Sequence, residues 1–122
     1  MNWSFDDDRP IYSQIIEHMK NFIVSNDVKA GEKLPSVREL ASQAGVNPNT
    51  MQRALSELES TGLVYSNRTS GRFITEDENI IHTLKSEIAN NNIQSFLINM
   101  KKIGYEKEET IELIKNFKEG EN

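Results

Sequence analysis

No cysteine occurs in the 122 residues, which excludes a disulfide framework, a thiolate metal site and a cysteine nucleophile. Histidine is nearly as scarce: His18 and His82 stand far apart with no companions at ligand spacing, so no metal site is assigned. No stretch reaches the roughly 18 consecutive apolar residues that a membrane-spanning helix needs. The opening MNWSFDDDRP is acidic and polar where a secretory signal is basic and then apolar. The expected location is therefore the cytoplasm, with no membrane partner. A nucleophile elbow, a phosphate loop and paired catalytic carboxylates are also missing, so no catalytic residue and no cofactor is assigned and an enzyme is not expected. Asp6-Asp7-Asp8 reads as a solvated charge run near a terminus, and His18 as a packing or surface residue rather than a base.

Positive charge is in short supply as well. The net charge of −5 opposes a nucleic-acid partner, because Lys and Arg drive phosphate binding. Its distribution softens that objection. Residues 1 to 75 carry eight Lys or Arg against nine Asp or Glu, whereas residues 76 to 122 carry six against ten. Between 33 and 72 the balance is basic, with Lys33, Arg38, Arg53, Arg68 and Arg72 against Glu39, Glu57 and Glu59.

What is present is helical periodicity. Ile11, Ile15, Ile16, Met19, Phe22 and Ile23 recur at spacings of three and four, which predicts an amphipathic helix starting at Pro10 and ending near Asn26. In KLPSVRELASQAG, Ser36 precedes Glu39 by three residues, a capping box. Val37, Leu40, Ala41 and Ala44 supply the buried face of that second helix, and Gly45 closes it. Asn47 and Pro48 then provide a new N-cap and first-turn proline, with Met51, Ala54, Leu55 and Leu58 facing inward as far as Gly62. Two short helices joined by the tight turn Gly45-Val46-Asn47 constitute a helix-turn-helix.

Residues 63–67 and 72–75 read as two strands around the turn Arg68-Thr69-Ser70-Gly71, a hairpin placed where a wing belongs. The fold class expected is mainly α with a small β-hairpin: a winged helix-turn-helix over residues 1–75 and a two-helix element over 76–122. In that second part Ile80, Ile81, Leu84, Ile88, Ile93, Phe96, Leu97, Met100 and Ile103 make one long helix or two stacked ones, the choice depending on Asn90-Asn91-Asn92, which are poor helix formers. Lys107 to Phe117 forms a last short helix carrying Ile111, Leu113, Ile114 and Phe117.

The second helix of such a unit enters the major groove with its N-terminal residues against base edges. With Met51, Ala54, Leu55 and Leu58 turned inward, Asn49, Thr50, Gln52, Arg53 and Ser56 face out. Asn and Gln pair bidentately with adenine and Arg with guanine, each for about 1 to 3 kcal/mol of discrimination. Arg38 is placed to hold a phosphate or reach a base, unless it pairs with Glu39. Arg68 and Arg72 flank the wing tip, where a phosphate or minor-groove contact is natural, unless they only keep an edge hairpin soluble.

The residues quoted so far, in the order PIYSQI (10 to 15), GEKLPSVRELA (31 to 41), GVNPNTMQRALSELESTGLVYS (45 to 66) and GRFI (71 to 74), resemble the N-terminal domain of the GntR family of bacterial transcription regulators. The resemblance implies a winged-helix domain, homodimers and inverted-repeat operators. By position it implies DNA contacts from Arg38, Asn49, Thr50, Gln52 and the wing around Arg68, Ser70 and Gly71; Arg53 and Arg72 are added on the facing arguments above. Positions 48 and 52 are often arginine in the family and are Pro48 and Gln52 here, which points to different operator bases. Most members carry a longer effector domain. The short tail, the VNPNT segment and the ending IGYEKEETIELI are similar to the YtrA subfamily, whose members often repress operons of ABC-type transporters.

So short a helix pair cannot bury all its apolar residues, which makes pairing with a second copy the expected outlet. Ile81, Leu84, Ile88, Phe96, Leu97, Met100, Ile103, Ile111 and Ile114 are the residues assigned to that dimer. The alternative is a helix pair packed only on its own winged domain. The expected function is sequence-specific, repressive binding of a double-stranded operator by a homodimer that is nucleoid-associated when bound. The competing function is a winged-helix protein-interaction adaptor, favoured by the acidic net charge. No residue set identifies a small-molecule effector.

Overall fold

The computed structural model describes residues 1–120. The elements run α1 (Ile11–Val24), α2 (Val37–Ala44), α3 (Pro48–Ser60), β1 (Val64–Asn67), β2 (Gly71–Ile74), α4 (Glu78–Lys102) and α5 (Lys107–Asn116). Contacts divide the chain into two compact units, Met1–Lys85 and Ser86–Asn122, so the first two turns of α4 go with the winged part.

In the first unit, Ile15, Met19, Leu40, Met51, Leu55, Leu58, Val64 and Ile74 are fully buried and make the common core of α1, α2, α3 and the hairpin. Capping chemistry bounds α2 at both ends and starts α3. Ser36 Oγ accepts from the Glu39 amide and Glu39 Oε1 accepts from the Ser36 amide, at 3.2 and 3.1 Å. Gly45 then ends α2 in the left-handed region at φ 72°, where a Cβ would crowd the following carbonyl. Two residues on, Asn47 Oδ1 caps α3 by accepting from the Asn49 amide at 2.7 Å, and Pro48 occupies the first turn.

The hairpin is antiparallel, with Val64 opposite Ile74 and Ser66 opposite Arg72. Its second strand is also paired on the far side: the Leu34 amide donates to Arg72 O and the Ile74 amide to Glu32 O, both at 2.9 Å. The segment before α2 thus ties the wing to the helix-turn-helix.

Several details depart from the periodicity. Ile11 is exposed, and the buried position beside it belongs to Gln14, only 1% exposed. Its amide accepts from the Asp6 N–H and donates to the carbonyls of Asp6 and Arg9, satisfying a polar group that burial would otherwise penalise. Asp6 also accepts from Arg9 at 2.9 Å; its backbone anchors the segment through Gln14, while the side chains of Asp6, Asp7 and Asp8 stay exposed to solvent. Behind it, Trp3 stacks on Phe5 and meets His18 and Phe22 edge to face, and Phe5 meets His18 edge to face, which makes His18 a packing residue. Val37 and Ala44 are only half-buried.

Asn90-Asn91-Asn92 do not interrupt α4, which is continuous from Glu78 to Lys102. In the second unit α5 starts where Glu109 accepts from the Glu106 amide at 3.0 Å. Thr110 is buried there with its hydroxyl on the Glu106 carbonyl. Phe96, Met100, Leu113, Ile114 and Phe117 line an apolar groove of about 360 Å³ between α4 and α5. Ile103 and Phe117 are each 69% exposed.

Candidate nucleic-acid interface

At about 3.6 residues per turn, the inward set of α3 leaves one continuous outward face. Gln52, Ser56 and Glu59 form a row along it, with Asn49 beside that row and Arg53 further round. Asn49, Gln52 and Arg53 are exposed and Thr50 half-buried. The wing flanks the row on the Glu59 side, and α1 flanks the opposite edge, where Arg53 sits.

The wing side is held by a connected polar network. Arg72 Nε donates to Glu59 Oε1 at 2.6 Å, with the two side chains 19% and 30% exposed. The Ser66 hydroxyl donates to the same carboxylate oxygen. Arg72 Nη1 reaches Gln52 Oε1 at 3.4 Å, and Gln52 Nε2 donates to Ser56 Oγ at 3.3 Å. Partial burial pushes the Glu59 carboxyl up, but the Ser66 hydroxyl and Arg72 outweigh it and hold the group below its ordinary value.

On the other edge the Arg53 guanidinium lies 4.7 Å from the centre of the Tyr12 ring. Such a cation–π contact contributes about 0.5 to 1 kcal/mol when exposed, whereas a hydrogen bond to a charged partner contributes about 1.5 to 3 kcal/mol. Arg53 is therefore the more easily redirected of the two arginines, and Arg72 is an internal strut. Arg72, assigned from the sequence to a phosphate or minor-groove contact, is here engaged by Glu59 and Gln52.

Arg38 is exposed on α2 and, among the described residues, forms no ion pair; the carboxylate of Glu39 is already engaged by the Ser36 amide. Arg68 is exposed at the wing tip, also without an ion pair among the described residues. Ser70, Gly71 and Arg72 meet Lys33 and Ser36 across an open cleft of about 650 Å³. Gly71 sits at φ 108°, and a Cβ there would come within 3.3 Å of Lys33 Cε. Glycine thus permits both the turn and the passage of Lys33 across the wing.

Periodicity alone does not reveal Tyr12, Ser66 or Lys33 as neighbours of this surface. Glu59 was legible only as the third member of the Gln52, Ser56 row. Of the residues assigned to a partner, Leu84 is buried within its own chain, and Ile81 lines a small cleft with Ile23 and Val24 of α1, so both are used in the winged unit. Ile88, Leu97 and Met100 are half-buried, and Phe96, Ile103, Ile111 and Ile114 are exposed. Ile98, Leu113 and Phe117 are exposed apolar residues outside the assigned set.

No helix among the described residues is long and apolar enough to cross a membrane. The family model described as bacterial regulatory proteins, gntR family, matches residues 11–74. The chain is 42% identical to the uncharacterized HTH-type transcriptional regulator YhcF of Bacillus subtilis (strain 168), over 98% of this chain and 99% of that one. It is 47% identical to the HTH-type transcriptional repressor YtrA of the same organism, over 56% of this chain and 52% of the relative. Among solved structures, a GntR family transcriptional regulator from Listeria monocytogenes superposes with a TM-score of 0.85 at 43% identity, covering 93% of this chain and all of that one. These relatives are transcriptional regulators, not enzymes.

Proposed function

Given that this chain belongs to the GntR family of bacterial regulatory proteins, in its YtrA-like branch, we propose that two copies bind an inverted-repeat operator and repress transcription by occupying it. The observation that carries this reading is the outward face of α3, whose Asn49, Gln52 and Arg53 stand exposed beside a wing tip bearing Arg68. We assign base contacts to Asn49, Thr50, Gln52 and Arg53, because leaving the Tyr12 ring costs Arg53 less than a bidentate guanine contact returns, about 1 to 3 kcal/mol. Arg38 and Arg68 are assigned to phosphates, and Ser70 and Gly71 to close approach of the wing backbone.

The exposed apolar residues of α4 and α5 support a homodimer, since a patch of that kind on a charged surface is otherwise an aggregation hazard. A twofold pair would present two copies of α3 to half-sites about one helical turn apart. Action in the cytoplasm on an operon for an ABC-type transporter follows from the resemblance to the YtrA branch.

The test is titration of the full chain against selected and random duplexes at several salt concentrations, with transcript levels in a deletion strain. Tight, salt-steep binding of a selected palindrome and higher transcript without the protein are expected. Equal affinity for every duplex would defeat the operator reading. The net charge of −5 favours the adaptor as the second reading, and binding of no duplex even at low salt would establish it as the better one.

A further inference from the structure

We propose that Glu59 is a positioning residue for base reading: by anchoring Arg72 it orients the Gln52 amide and so selects adenine at the base pair Gln52 faces. The proposal rests on the operator-binding reading above and names a residue that touches no base itself.

Glu59 receives both members of one cross-strand pair, Ser66 and Arg72, which stand opposite each other in the hairpin. The guanidinium is a rigid plane, so holding Nε at 2.6 Å also aims Nη1, which lies 3.4 Å from Gln52 Oε1. Arginine has only donors. The oxygen of the Gln52 amide, and not its nitrogen, must therefore face Arg72, and the nitrogen is left to donate to Ser56 Oγ.

One N–H and one oxygen lone pair remain unused on this exposed amide. A donor beside an acceptor matches the N7 acceptor and N6 amino group of adenine in the major groove. Guanine presents two acceptors, N7 and O6, and would set its O6 against the glutamine oxygen. An amide able to flip would lose part of that distinction. Removing Glu59 frees Arg72 to turn, and with it the constraint on Gln52.

The experiment is selection from a library of randomised duplexes by the full-length wild type, Gln52→Ala, Glu59→Gln and Arg72→Lys, read as base preference at each position, with thermal melts of all four. Wild type is expected to enrich adenine at one position of each half-site, and Gln52→Ala to lose that preference. Glu59→Gln is expected to reduce it about tenfold at that position alone. Arg72→Lys keeps the charge but cannot bridge two partners with one plane, so the same loss is expected, and it decides the matter if Glu59→Gln melts too low to assay.

Preference that falls evenly at every position would mean a merely structural role and overturn the proposal. Full adenine preference in both Glu59→Gln and Arg72→Lys would overturn it while leaving operator binding intact. Enrichment of no sequence by the wild type would instead remove the operator reading itself.

Discussion

Glu59 couples the titration of one carboxyl to the docking of the wing. Its folded value is depressed below 4.5, so it stabilises the fold above the unfolded value and loses that contribution as pH falls through the folded one. The urea midpoint of the wild type should exceed that of Glu59→Gln at neutral pH, with the gap closing progressively below pH 4.5. A gap of the same size in acid would show that the carboxylate charge is not what holds Arg72. The arginines separate by the same logic. Arg68 is exposed at the wing tip, so Arg68→Ala should weaken all duplexes alike and reduce the slope of log affinity against log salt by about one unit. Arg72→Ala should act differently, lowering the melting temperature because it leaves the partly buried Glu59 carboxylate without its charged partner. Identical behaviour of the two variants would contradict the internal-strut assignment.

The short helices depend on their ends more than on their length. With eight residues, α2 is below the size at which an isolated helix is stable in water. Its capping box and the packing of Leu40 and Ala41 on α3 keep it formed. Ser36→Ala should therefore destabilise the protein by about 1 kcal/mol, read as a shift in urea midpoint at unchanged slope; no shift would mean that packing alone sustains α2. The long helix behaves in the opposite way. Three successive asparagines at 90 to 92 cost only tenths of a kcal/mol each relative to better formers, about 0.7 at most, and a 25-residue helix absorbs that sum without breaking.

For the assembly, the deciding quantity is apolar surface that one chain leaves uncovered. Ile93 is 55% exposed and Ile114 56% exposed, values that a second copy is proposed to reduce. Sedimentation of the wild type at micromolar concentration should give a dimer. Ile114→Glu, by placing a charge in that surface, should give a monomer that still has the wild-type helix content and binds a palindromic duplex far more weakly than wild type does. A wild-type monomer under those conditions would refute the dimer. Retention of the dimer by Ile114→Glu would move the interface elsewhere on the chain.

Much of this protein follows from its residues read in order. The capping box at Ser36 and Glu39, the turn at Gly45 to Asn47, the apolar rows of the three helices and the hairpin are local matters of 3.6-residue and two-residue periodicity and of backbone conformations open mainly to glycine. Local rules also determine which residues of α3 face out. They say nothing about what lies across from them, because contacts between elements depend on how the elements pack. The pairing of Arg72 with Glu59, the stacking of Arg53 on Tyr12, the use of Gln14 to anchor the first residues and the burial of Leu84 inside the chain all join positions that meet only after folding. Tertiary structure thus decided which charges remain available to a ligand and which are consumed in holding the surface that would present them.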